Sequence, residues 1–136
     1  MQHKKEHDMN VWILLSGLNA AMAVGLGAYG WHALGGTPDI RDVFMMGSQY
    51  QMWHGIALLG IGLLLNYGPN RYLTIAGIMF QTGIVLFAGT LYCFGGLNFI
   101  PVQGAAPFGG GLLMIGWLIL GIQGARHVRL EKPAKP

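Results

Sequence analysis

Charge is what this sequence has least of. Asp, Glu, Lys and Arg make up 10% of its 136 residues, where a soluble domain carries about 25%. A soluble chain this short must cover most of its surface with polar groups. Eight basic and five acidic side chains cannot do that, and a lipid-facing surface removes the requirement. Cysteine is nearly absent: Cys93 stands alone, which excludes an intrachain disulfide and a cysteine-based metal cluster. Serine is limited to Ser16 and Ser48, neither beside a convincing base. There is no Gly-rich phosphate loop with its Lys, no HExxH helix, no GxSxG elbow and no CxxC pair. The chain therefore reads as non-catalytic. No basic stripe is interleaved with aromatics, so the net charge of +3 does not signal nucleic-acid binding.

What is abundant is apolar. The hydrophobic class is 53% of the chain, and Gly contributes 23 residues more. Four apolar stretches stand out, at 11–34, 49–67, 72–94 and 107–125. Each is near the roughly 20 residues that a helix needs to cross an apolar layer of about 30 Å. The breaks between them are Gly35-Gly36-Thr37-Pro38, the turn Asn66–Asn70 with Gly68 and Pro69, and a longer loop from Gly95-Gly96 to Ala106. Pro107 suits the first turn of the last helix, where its missing N–H costs nothing. Residues 37–50 are different. Thr37 can cap a helix, Pro38 can open it, and Asp39, Arg41 and Asp42 keep its start polar. This segment is expected to form a short interfacial helix leading into the second span.

The expected fold is all-α and polytopic: a tail at 1–10, one four-helix transmembrane domain at 11–125, and a basic tail at 126–136. No Asp, Glu, Lys or Arg lies deep in any span, which argues against a carboxylate-driven pump. With four spans, Lys4, Lys5, Arg71, Arg126, Arg129, Lys132 and Lys135 fall on one side and Arg41 on the other. The positive-inside rule then puts both termini in the cytoplasm and the chain in the cytoplasmic (inner) membrane. Lys4, Lys5, the apolar run and Ala21-Met22-Ala23 share features of a cleaved signal peptide. The apolar character continues to Leu34, however, and cleavage would split the basic segments across the membrane, so the segment is read as retained.

Small residues mark helix contacts in lipid, where water cannot drive association. Gly17, Ala21 and Gly25 follow one another at four-residue spacing, and Gly27 follows Ala23. Gly83, Gly89 and Gly121 add small positions on the third and fourth helices. All are expected at helix-packing surfaces. Asn19 and Gln81 are amides inside apolar spans, and each needs a hydrogen-bond partner there.

His32 and His54, on successive helices, are the strongest candidates for holding anything. Placed near the same membrane boundary, they could ligate a metal or haem iron, bridge two helices, or meet headgroups. Tyr50 shares a helix face with His54, and Gln49, Tyr50 or Asp42 would have to complete a metal site. Trp31 and Trp53 read as interfacial anchors.

Four segments carry a family resemblance: GLGAYGWHAL at Gly25–Leu34, YQMWHGIALLGIGLL at Tyr50–Leu64, GIVLFAGTLY at Gly83–Tyr92 and PFGGGLLMIGW at Pro107–Trp117. The chain resembles the YgdD-like family of small membrane proteins, domain-of-unknown-function family 423. The resemblance implies a membrane-embedded four-helix fold and places the family's motif histidines on His32 and His54. It carries no activity. Trp31 stands where the family has a small residue before the histidine.

The functional expectation is an accessory or assembly subunit of a larger membrane complex, in contact with lipid and with other subunits or further copies. One alternative is a redox protein holding haem, a metal or quinone through His32, His54 and Tyr50. The other is an oligomeric transporter of small molecules or lipids. No cofactor is required by the first reading.

Overall fold

A computed structural model describes residues 9–128 and is all-helical. It has four helices: α1 (Val11–His32), α2 (Pro38–Leu65), α3 (Arg71–Leu97) and α4 (Ala105–His127). Asn10 caps α1, its side-chain oxygen accepting from the Trp12 and Ile13 amides. Asn70 caps α3 in the same way, through the Tyr72 and Leu73 amides. Pro38 opens α2 behind Thr37, whose side chain makes no cap bond.

Two boundaries differ from expectation. Residues 37–50 do not form a separate interfacial helix: α2 is continuous for 28 residues. Nothing between Ile40 and Tyr50 breaks a helix, and Pro38 starts one rather than interrupting it. Gly95 and Gly96 lie inside α3 rather than in a loop. Phe44 of α2 lies against this turn, and a β-carbon at Gly95 would stand 2.6 Å from the Phe44 Cβ. These glycines bring two backbones together, and α3 ends instead at Asn98, in the left-handed conformation with φ 51°.

The helices run up and down. The Asn10 side-chain N–H donates to the Gly62 carbonyl at 3.0 Å, tying the start of α1 to the last turns of α2. His127 Nε2 donates to the Gly68 carbonyl at 3.0 Å, tying the end of α4 to the α2–α3 turn. Arg71 and Arg126 therefore share one end, and Arg41 lies at the other, over the Trp31 ring. Lys4, Lys5, Arg129, Lys132 and Lys135 lie outside the described residues.

Helices α2 and α3 form the centre. Helix α1 packs mainly on α2 and α4 mainly on α3, while α1 and α4 make no contact among the described residues. Phe80, Leu58, Ile61 and Leu73 are fully buried at the α2–α3 seam. Polarity is inverted relative to a soluble protein. Ser16, Asn19, Ser48, Gln51, His54 and Thr90 are buried, whereas Val24, Val85, Phe108, Met114 and Leu118 are exposed. An apolar exterior over polar contacts is what a hydrocarbon solvent selects. Helices α1, α3 and α4 are each long and apolar enough to cross a membrane.

Candidate functional site

An amide in hydrocarbon must find its partners within the protein. Asn19 and Gln81 find each other: the Asn19 Nδ2 donates to Gln81 Oε1 at 2.8 Å and to its own helix at the Leu15 carbonyl, 2.9 Å. Gln51 Nε2 donates to Asn19 Oδ1 at 3.2 Å, and the Tyr92 hydroxyl donates to Gln51 Oε1 at 2.7 Å. One hydrogen-bonded chain thus joins α1, α2 and α3. Nearby, Ser48 Oγ donates to the Ala23 carbonyl at 2.8 Å, a second tie between α1 and α2. Tyr92 was not singled out from sequence. Its spacing of eleven from Gln81, about three helical turns, places both on one face of α3 and was the available signal. The network is made of neutral groups without a carboxylate or an ammonium, which suits a clamp and not a charge relay.

The histidines are not brought together. His32 is exposed at the end of α1. His54 lies beside Gly55, which packs against Asn19 and Ala20 of α1. Twelve residues separate Ala20 from His32, so the two histidines differ in depth by about 18 Å. The difference follows from the start of α2: counted from Pro38 rather than Gln49, His54 is deep in its helix.

His54 is instead part of an aromatic group with Tyr50. Its ring stacks on Tyr50 at a centroid distance of 5.8 Å and meets Trp117 of α4 edge-on at 6.0 Å. Tyr50 also lies 5.0 Å from Trp53 and 4.7 Å from Phe87. Tyr50, Trp53, His54, Leu113, Met114 and Trp117 line a cavity of about 420 Å³ between α2 and α4, with Gly110 at its edge. Trp53 thus lines a hollow next to His54, and the α4 contributors were not foreseen. The reason is that the sequence alone does not say that α4 faces this side of α2.

The small residues divide into two sets. A β-carbon at Gly27 would meet Ser48 Oγ at 2.8 Å, and one at Gly83 would meet Leu113 and the Gly109 carbonyl. These two are inside the chain's own contacts. Gly17, Gly25, Gly89 and Gly121 have nothing within 4 Å of a built β-carbon, and Ala21 is exposed. The Gly17-Ala21-Gly25 stripe does not pack on another helix among the described residues. The contacts between helices fall instead on Gly55 and Gly62 of α2 and on Gly109 and Gly116 of α4.

Among the described residues, no three His, Cys, Asp or Glu side chains are grouped to hold a metal. A family model described as a protein of unknown function, DUF423, matches residues 26–110. A UPF0382 membrane protein of Staphylococcus epidermidis is 43% identical over 115 residues, covering 82% of this chain and 93% of that protein. The UPF0382 membrane protein YwdK of Bacillus subtilis is 36% identical over 124 residues, covering 88% of this chain and all of that protein. No solved structure matches.

Proposed function

Because the chain belongs to the DUF423 family of bacterial membrane proteins of unknown function, we propose that it is a non-catalytic accessory or assembly subunit bound to larger proteins of the cytoplasmic membrane. The observation that carries this reading is the outward stripe of α1. Among the described residues, Gly17, Ala21 and Gly25 point away from every other helix. Each Gly in a helix interior costs about 1 kcal/mol relative to Ala, and lipid contact returns nothing for it. A partner helix lying against a bare backbone does.

In this reading all four helices span, and both termini face the cytoplasm. Helix α2 is on average less apolar than the others, with Asp39, Arg41 and Asp42 in its first turns, but Ser48, Gln51 and His54 are turned inward and do not meet lipid. Its 28 residues extend about 42 Å, so its first turns reach beyond the hydrocarbon at the Arg41 end. The gathering of Arg71 and Arg126 at one end supports that end as cytoplasmic. An impermeant thiol reagent applied from outside should label Asp42→Cys in intact cells and not Arg71→Cys, in a Cys93→Ala background. The opposite pattern overturns the orientation.

Native mass spectrometry of the protein, extracted from its own membrane in mild detergent, tests the role. A stoichiometric set of larger subunits is expected. Recovery as a lone monomer under gentle extraction rejects the proposal. The separation of His32 from His54 leaves the redox reading through that pair without support, and nothing favours transport.

A further inference from the structure

The cleft between α2 and α4 exists because both helices pack on α3 and scarcely touch each other. It is not the largest hollow. A depression of about 740 Å³ lies beside the α2–α3 turn, but none of its lining residues is buried. The α2–α4 cavity differs because a buried polar group points into it.

That group is His54, only 5% exposed. Its Nδ1 lies 2.6 Å from the Tyr50 carbonyl oxygen. A carbonyl can only accept, so Nδ1 carries the proton, and Nε2 of the neutral ring holds a bare lone pair. No described residue donates to Nε2, and it is not sealed away in the protein interior. His54 lines a cavity otherwise walled by Tyr50, Trp53, Leu113, Met114 and Trp117. A lone pair at this depth needs a donor, and hydrocarbon supplies none.

The walls state the rest of the chemistry. Tyr50, Trp53 and Trp117 offer aromatic faces, which favour a flat ring. A volume of about 420 Å³ is at the small end of ligand pockets and accommodates a ring with the start of a tail. Trp53 is 51% exposed and Met114 66%, so the mouth opens on the outer, apolar surface of the helices. A ligand would enter sideways from lipid, not from water. We infer that this cavity binds the headgroup of a lipid-soluble phenol or quinol. The ring hydroxyl donates to His54 Nε2, the ring lies against Tyr50, Trp53 and Trp117, and the tail leaves past Met114 into the bilayer. The role is binding, with no electron or group transfer. It does not depend on the chain having a protein partner.

The test uses the full chain in lipid nanodiscs, titrated with a decyl-substituted hydroquinone, its dimethyl ether and decanol, with tryptophan fluorescence as the readout. The hydroquinone should bind saturably. The ether keeps ring and tail but cannot donate, and should bind about tenfold more weakly, as should decanol, which lacks the ring. His54→Asn retains an amide to donate to the Tyr50 carbonyl and removes the far acceptor. It should reduce hydroquinone affinity to the level of the ether. His54→Gln carries an amide oxygen into the vacated region and should restore part of the difference. No saturable binding, or equal affinity for hydroquinone and ether, overturns the inference. If the variants fail to fold, the ratio of hydroquinone to ether on the unaltered protein decides alone.

Discussion

The two faces of α3 hold their neighbours by different physics. Toward α1 and α2, Gln81 and Tyr92 belong to a hydrogen-bonded chain that runs through Asn19 and Gln51. Toward α4 no such bonds occur among the described residues; close backbone approach takes their place, with Phe80 meeting Trp117 edge-on at 5.3 Å. A β-carbon at Gly109 would stand 2.7 Å from the Phe87 amide nitrogen, and one at Gly83 would stand 3.0 Å from the Gly109 carbonyl oxygen. Within lipid neither interface gains from excluding water, so each must supply direct attraction. The polar face does so with directed bonds that lock the register of three helices. The glycine face does so with dispersion, which rises steeply as backbones approach. The first is therefore sensitive to a lost partner, the second to an added atom.

The largest effect should come from adding that atom. Gly109→Val places a branched carbon against backbone atoms of α3, which cannot rotate aside. Overpacking of this kind costs about 1–3 kcal/mol, and α4 should loosen from α3. Reversible unfolding in detergent would measure it. Gly110→Ala is the matched control, because its β-carbon meets the Phe87 ring at an ordinary 3.6 Å. It should cost no stability, and the helix propensity of Ala over Gly should raise it by a few tenths to about 1 kcal/mol. Equal losses at the two positions would remove close approach as the reason for glycine at 109.

The polar face should give a smaller and coupled loss. Gln51→Leu leaves the Tyr92 hydroxyl without its acceptor and Asn19 Oδ1 without its donor. Hydrogen bonds between membrane helices average about 0.6 kcal/mol and reach about 1.7, so a loss of about 1–2 kcal/mol is expected. Tyr92→Phe alone should cost less, about 0.6 kcal/mol. Combined with Gln51→Leu it should cost almost nothing further, since the bond is already gone. Simple additivity in that double-mutant cycle would mean that the two residues act separately and that the chain of bonds is not a unit.

Much of this contrast was half legible in the sequence. Amides at Asn19 and Gln81 announced themselves, because an apolar run tolerates them only with a partner. Which partner they would choose depends on the mutual register of α1, α2 and α3, and no local pattern encodes that. Glycine spacing was more ambiguous still. Gly17, Ala21 and Gly25 on one helix and Gly109 and Gly116 on another are all small in sequence, yet the first set faces out and the second touches α3. A small residue says that close approach is permitted, not that a neighbour is there. The depth of His54 was obscured by reading Gln49 as the start of a span, when Pro38 is the last local signal that sets where α2 begins.

The mildest prediction concerns the stripe that neither face of α3 uses. Gly17→Leu and Gly25→Leu add side chains into open space, since nothing lies within 4 Å of either position. In the isolated chain they should cost no stability, and better helix propensity could add a few tenths to about 1 kcal/mol each. In native membranes the same substitutions should strip the protein of its larger subunits during gentle extraction. Lost stability without a partner present would mean that α1 turns this stripe toward its own chain, making it a third inner seam. Full stability with undiminished co-purification would move the docking face elsewhere. Only the combination of an intact fold and a lost complex separates this stripe from the other two interfaces, as a surface kept small for a helix that another protein supplies.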